Sequence, residues 1–374
     1  MNAHPRIVII AGEASGDAHA ARVLHALKKR YPNLTAEGFG GPELRKQGMT
    51  CSEDIRDLAV MGIWEVLKRY GYFKRIFDQL VQKLKSNPPD LLLLVDYPGF
   101  NLRLAKAVKG TGIPVVQYIC PQVWAWKASR IQTMAQVLDR VLCIFPFEPQ
   151  SFEGVNLDVR YCGHPMVEET QDVVPDPGWG GGVKLALVPG SRVQEIDRLF
   201  LPMLQSAACL QRDDIQLRVP CANAECRQRM ENLLKANPAL PRPELVDGQM
   251  RELVKGADAA LVTSGTATLE TALLGTPMLI LYKTSALTYA IGKRLVKVPF
   301  IGMVNLVAER EVCPEFIQDE LVPRNVAAVL QPLLIPTETR TAMVAGLADV
   351  RKALIPDDGG MKVVENFMDL ISKP

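Results

Sequence analysis

Nowhere in these 374 residues does an uninterrupted apolar run reach the roughly 20 residues a helix needs to cross a bilayer, so any membrane contact is expected to be peripheral. The opening MNAHPRIVII also lacks the charged start, long apolar centre and small-residue cleavage site of a signal peptide, which predicts a cytoplasmic location. Charge of one sign is missing: 43 basic against 41 acidic residues leave +2, too balanced for a dedicated nucleic-acid binder, whose affinity rests on neutralising phosphates. Histidine is scarce, and His4, His19, His25 and His164 fall in no H-E-x-x-H or other ligand spacing, so no metal site is expected. The eight cysteines are scattered, and the nearest pair, Cys221 and Cys226, is too widely spaced for a C-x-x-C site; reduced structural thiols are expected. The dinucleotide signature G-x-G-x-x-G does not follow the first strand, which weighs against a nicotinamide-dependent oxidoreductase.

What is present is an α/β pattern long enough for two domains. RIVIIA, LLLLV, PVVQYI and RVLCIF are short runs without alternation, as buried parallel strands require, with helical segments between them. A proline- and glycine-rich stretch from Val174 to Gly182 has the composition of a linker. Strand-helix alternation then begins again with KLALV, IQLRVP, DAALV and PMLILY. Two Rossmann-like doubly wound domains follow, over residues 1–170 and 183–374, with the return of the last helices, from Asn325 onward, onto the first domain left open. In such sheets ligands gather beyond the carboxyl ends of the strands, so the loops there are where chemistry is expected.

Four loops carry suitable residues. The first strand ends in Gly12-Glu13-Ala14-Ser15-Gly16-Asp17, where Ser15 and Asp17 either cap the following helix or serve an acceptor site. LLLLV runs into Asp96-Tyr97-Pro98-Gly99-Phe100-Asn101, placing Asp96 where either a general base or a turn cap belongs. In the second half, LALV leads to Pro189-Gly190-Ser191-Arg192, a turn with amides and a guanidinium suited to a pyrophosphate, unless Glu195 merely pairs with Arg192. DAALV leads to Ser264-Gly265-Thr266-Ala267-Thr268-Leu269-Glu270, where the amides suit phosphate oxygens and Glu270 the ribose hydroxyls. A fifth segment, Met61 to Phe77, mixes apolar and aromatic residues with Lys68, Arg69, Lys74 and Arg75, and suits either a lipid headgroup region or an amphipathic helix on its own core. Lys293, Arg294 and Lys297 form a second basic run.

In order along the chain, GEASGD, LAVMGIWEVL, DYPGFN, CPQVWAWK, FPFE, GHP, PGSR, SGTATLE, KRLVK, and MVNLVA followed by CPEFIQ resemble the lipid-A-disaccharide synthase family, from residue 12 to about residue 318. The resemblance implies a glycosyltransferase of the GT-B type, two Rossmann-like domains facing a cleft, without cofactor or metal. It implies transfer from UDP-2,3-diacylglucosamine to 2,3-diacylglucosamine 1-phosphate, with inversion, at the cytoplasmic face of the inner membrane; a homodimer stays open. On this reading Asp96 is the base, with Glu13 and Arg192 also catalytic. Gly190, Ser191, Arg192, Ser264, Gly265, Thr266, Glu270 and Asn305 hold the nucleotide. Gly12, Ser15, Asp17, Met61, Ile63, Trp64, Leu67 and Phe73 serve the acceptor and its acyl chains. Two positions depart from the family pattern: Gly99 stands where relatives have a second acidic residue, and Val304 where they have proline. The first leaves Asp96 the sole carboxylate of its motif, with Glu13 or Asp17 as its substitutes. The rival readings are a UDP-N-acetylglucosamine transferase or epimerase without an acyl groove, and a noncatalytic UDP-sugar binder.

Overall fold

The structure, a computed structural model, describes residues 4–54, 70–125, 128–295, 298–356 and 363–371. The chain divides into two compact units, residues 1–164 with 356–374, and residues 165–355. Each is built on one sheet whose strand pairs are all parallel.

In the first unit the strands are β1 (Arg6–Ala11), β2 (Thr35–Gly40), β3 (Thr50–Asp54), β4 (Leu91–Val95), β5 (Val115–Tyr118), β6 (Arg140–Cys143) and β7 (Asp158–Tyr161). Their order is β3-β2-β1-β4-β5-β6-β7. The second unit holds β8 (Val183–Val188), β9 (Ile215–Cys221), β10 (Glu244–Asp247), β11 (Ala259–Thr263), β12 (Met278–Tyr282) and β13 (Glu315–Ile317), in the order β10-β9-β8-β11-β12-β13. Winding therefore reverses between β1 and β4 in one sheet and between β8 and β11 in the other. At such a switch point the two flanking loops diverge and leave a crevice beyond the strand ends.

Central strands are buried along their length, β4 and β11 at every residue, which is why LLLLV and AALVT carry no polar alternation. The edge strands β3, β7, β10 and β13 are short and half-exposed, and their sequences TCSED, DVRY, ELVD and EFI hold no apolar run to announce them. β2 needs glycine: at Gly38 φ is +139°, and a Cβ would stand 2.1 Å from the carbonyl oxygen of Ile9 on β1.

Two segments lie differently from their composition. Val174–Gly182 reads as a free linker, yet the Trp179 side chain is buried, its indole N–H donates to the carbonyl of Leu253 at 2.9 Å, and the Arg218 guanidinium lies over its ring. Asp176 pairs with Arg218, both buried, at 2.5 Å. One aromatic anchor and one buried ion pair thus fasten a glycine-rich stretch to the second unit. The chain's return to the first unit begins at Pro356, so the helix Pro323–Leu330 stays in the second. Phe367, Leu370 and Ile371 are buried in the first unit, where Asp369 meets the buried Arg140 at 2.6 Å.

Candidate active site

In the second unit, Val188 of β8 pairs with Val262 of β11, so the loops after these two strands leave the sheet side by side. After β8 the chain turns at Gly190, φ +113°, and enters the helix Val193–Cys209. Glu195 folds back: its Oε2 accepts from the amides of Ser191 and Arg192 at 2.9 and 3.2 Å, and its Oε1 from the Arg192 guanidinium at 3.3 Å. A carboxylate thus occupies the amides expected to seat phosphate, while the Arg192 side chain stays 77% exposed. After β11, Gly265 (φ +156°) starts the helix Thr266–Leu273, and the Ser264 hydroxyl donates to Ile301 O at 3.2 Å.

The two loops line one cavity of about 560 Å³, a size that suits a nucleotide. Gly190, Ser191, Arg192 and Glu195 contribute from one loop and Ser264, Gly265, Thr266, Ala267 and Glu270 from the other. Two further stretches join them that sequence reasoning missed: Pro220–Ala222 at the end of β9 and Gly248–Glu252 after β10. The second was detectable, since Asp247-Gly248 is a turn dipeptide, and Gly248 and Gln249 are left-handed with φ +64° and +50°. From it Arg251 reaches Glu270, donating through Nε to Oε1 at 2.8 Å.

Asn305 is placed elsewhere. It is fully buried, its amide nitrogen donates to Cys313 O and Glu315 Oε1 at 2.7 and 2.9 Å, and its oxygen accepts from the amides of Val312 and Cys313. Its hydrogen-bonding capacity is spent on folding its own loop, and it does not line the cavity.

In the first unit, Ala11 of β1 pairs with Val95 of β4, so Gly12–Asp17 and Asp96–Asn101 also leave the sheet together. Asp96 and Tyr97 are both left-handed, φ +48° and +46°, as is Ile119 at the end of the neighbouring β5, φ +66°. Each such non-glycine residue costs about 1–3 kcal/mol, which the surroundings must offset. Two buried amides do so: Asn101 Nδ2 donates to Asp96 O at 2.6 Å and Gln117 Nε2 to the same oxygen at 3.1 Å. Burial raises the Asp96 carboxyl above its ordinary value, against the lowering effect of the Tyr97 amide. Glu13 is raised as well, by burial and then by the Asp96 charge. Two carboxyls thus share one end of the sheet, and a proton is held there more readily than in water.

The remaining residues of GEASGD divide. The Tyr97 ring lies so close to Gly12 that a Cβ there would stand 2.4 Å from it. Ser15 is exposed at the start of the helix Ala14–Arg30. Asp17 is buried and accepts from the amides of Gly41, Glu43 and Leu44 at 2.7, 2.9 and 3.2 Å. It caps the next short helix, Pro42–Lys46, rather than its own, and its oxygens are engaged there. That removes Asp17 as an acceptor residue and as a substitute base.

CPQVWAWK, FPFE and GHP converge. Trp124 donates through its indole to Glu148 Oε1 at 3.3 Å and packs edge-on against Phe147, which stacks on Phe145; Phe145 in turn meets the His164 ring. Glu148, 1% exposed, also accepts from the amides of Ile144 and Phe145 at 3.0 Å, and burial pushes its carboxyl up to about 7. Glycine and charge signals could not reveal this glutamate, because it works by burial.

Of the lipid-contact residues, Met61, Ile63, Trp64 and Leu67 lie outside the described residues, as do Lys68, Arg69 and, in the second basic run, Lys297. Phe73, on the helix Tyr70–Ser86, packs partly buried against the first unit's core with its ring edge-on to Tyr72. Ile76, Leu80 and Leu84 bury the same helix, while Lys74 and Arg75 are exposed. For this part of the segment, the apolar side chains serve the protein's own core.

The family model for lipid-A-disaccharide synthetase matches residues 7–355. The lipid-A-disaccharide synthase of Myxococcus xanthus is 38% identical, over 99% of this chain and 99% of its own. Among solved structures, a putative UDP-N-acetylglucosamine 2-epimerase from Listeria monocytogenes aligns with TM-score 0.62 at 14% identity, covering 92% of this chain and 91% of the other. The calicheamicin glycosyltransferase CalG4 aligns with TM-score 0.59 at 14% identity, covering 99% and 98%. At such identities the structural likeness speaks for the fold, that of the GT-B glycosyltransferases.

Proposed function

The chain belongs to the lipid-A-disaccharide synthetase family, and from that premise we propose its reaction in detail. A hexosyl group passes, with inversion, from UDP-2,3-diacylglucosamine to the 6-hydroxyl of 2,3-diacylglucosamine 1-phosphate, giving a β(1→6)-linked disaccharide 1-phosphate and UDP. The observation that carries the donor half is that one cavity at the β8/β11 switch point gathers both PGSR and SGTATLE. There Arg192 and the loop amides meet the diphosphate and stabilise the charge that grows on departing UDP. Glu195 must release the Ser191 and Arg192 amides for them to take part. Glu270 accepts from the ribose.

For the acceptor half, Asp96 removes the proton of the 6-hydroxyl as it attacks the anomeric carbon. The raised pKa of its carboxyl supports this, since a stronger base drives the transfer better. Glu13, next to it, shares that end of the sheet, its own carboxyl raised by burial and by the Asp96 charge. No helix among the described residues is long and apolar enough to cross a membrane. The acylated substrates, held in the bilayer by their acyl chains, are met at the inner-membrane surface, with Met61, Ile63, Trp64 and Leu67 serving the acyl chains and Lys74 and Arg75 meeting anionic headgroups.

The test is direct. The purified protein is incubated with both substrates in detergent micelles, with EDTA, and the products are read by mass spectrometry and by NMR of the new anomeric centre. A β-linked disaccharide 1-phosphate formed in step with UDP is expected. UDP release without that product, or an α linkage, would defeat the proposal.

A further inference from the structure

Arg251 is a polar side chain of the cavity that the proposed reaction leaves without a task. It lies on the helix Met250–Lys255 and meets two carboxylates from distant parts of the chain. Its Nε and Nη2 both reach Glu270 Oε1, at 2.8 and 2.7 Å, and Nη2 also reaches Glu169 Oε2 at 2.6 Å. Glu169, the last residue of the helix Met166–Glu169, is the more enclosed partner, its side chain 13% exposed against 18% for Glu270.

Two consequences follow from this geometry. Glu270 Oε1 accepts the Nε–H of Arg251 and lies in ion-pair contact with Nη2, so the oxygen turned to a ligand with acceptor capacity to spare is Oε2. Arg251 faces two carboxylates, so its charge is compensated before any ligand arrives, whereas among the described residues Arg192 has Glu195 alone, at 3.3 Å, and is mostly exposed. The diphosphate belongs with Arg192, and Arg251 acts through Glu270. A planar guanidinium fork held from behind by Glu169 is suited to fixing a carboxylate's orientation.

We infer that Arg251, anchored by Glu169, is a positioning residue that holds Glu270 for the vicinal hydroxyls of a ribose and so makes the cavity select ribonucleotides over deoxyribonucleotides. The inference deepens the nucleotide reading of the cavity and rests on it.

Calorimetric titration of the full chain with UDP and with 2′-deoxy-UDP tests it, on wild type, Arg251→Met and Glu169→Gln. Wild type is expected to prefer UDP by about 10- to 100-fold, the worth of a hydrogen bond to a charged acceptor. In Arg251→Met that preference should shrink to about threefold or less, through weaker UDP binding, with 2′-deoxy-UDP weakened less because the deoxy ligand brings only its 3′-hydroxyl to the oriented carboxylate. Glu169→Gln should fall between. A preference retained in Arg251→Met overturns the inference alone, and so does equal weakening of both ligands, which would mark a structural role. No preference in wild type overturns it too. Should Arg251→Met fail to fold, Glu169→Gln decides, an undiminished preference being the overturning result. Failure of wild type to bind UDP overturns the nucleotide reading and the inference together.

Discussion

Asp96 is held in the left-handed region, uncommon for a non-glycine residue, where two buried amides, Asn101 and Gln117, both grip its carbonyl. The unused oxygens of those amides, Asn101 Oδ1 and Gln117 Oε1, have no partner among the described residues, a further cost accepted here. Left-handed backbone and unsatisfied amide oxygens gathered around Asp96 support the role proposed for its carboxylate. Asp96→Asn is expected to lower kcat by about 10²- to 10⁴-fold, the usual worth of a general base, with UDP affinity little changed. Steady-state kinetics beside a UDP titration checks this, and near-normal turnover would move the role to Glu13. The pH dependence has a definite sign. A carboxyl raised in the folded protein keeps its proton above the ordinary aspartate range, so the acid limb of kcat/KM should lie above about pH 4 and activity should rise with pH through it. The same shift means that the unfolded chain ionises first. Stability contributed by the protonated form is therefore full below the unfolded value and lost as pH rises through the folded one. Asp96→Asn should accordingly be more stable than wild type at pH 8, the common exchange between function and stability.

At the scale of elements, the central strands were legible and the edge strands were not, for a reason of burial. β1, β4, β8 and β11 are covered on both faces and must be apolar throughout, whereas β3, β7, β10 and β13 cover little and tolerate TCSED or ELVD. Loop chemistry was legible where a glycine-bearing turn also carries charged or hydroxyl residues, as at Gly190, while the turn at Gly248 went unread. The PGSR turn depends on that glycine: with φ at +113°, a Cβ would stand 2.3 Å from Glu195 Oε2 and 2.7 Å from Glu195 Cβ. Gly190→Ala is expected to cost about 1–3 kcal/mol in urea unfolding, through backbone strain and loss of the Glu195 cap, and to weaken UDP binding by calorimetry. Unchanged values in both measurements would show that the turn tolerates a side chain.

At the scale of the molecule, the chain closes its first unit with its own end. Arg140 is almost fully buried, and its charge is met by Asp158 at 2.6 Å and by Asp369 at 2.6 Å, while Val363, Phe367, Leu370 and Ile371 are buried with it. A chain ending at Ile355 loses one partner of a buried charge together with four buried apolar side chains, each worth about 1.5–3 kcal/mol. Hydrogen exchange should show amides of β6 and β7 losing protection while those of β8 and β11 keep theirs. Equal protection of both units, before and after truncation, would show that the terminal segment adds nothing to the first.

Composition and pattern by themselves determined the two α/β units, the central strands and the four loops with chemistry to offer, because parallel strands need apolar runs and ligand-binding turns need small or charged residues in fixed places. Strand order was decided only in three dimensions. It sets β1 beside β4 and β8 beside β11, and so converts four separate loops into two switch-point sites. So was the assignment of hydrogen bonds: Asp17 and Asn305 carry suitable groups but spend them on Gly41–Leu44 and Val312–Glu315, while Arg251, which no motif announced, reaches Glu270. A sequence lists donors and acceptors; which of them remain for a ligand depends on neighbours that only the folded chain brings within bonding distance.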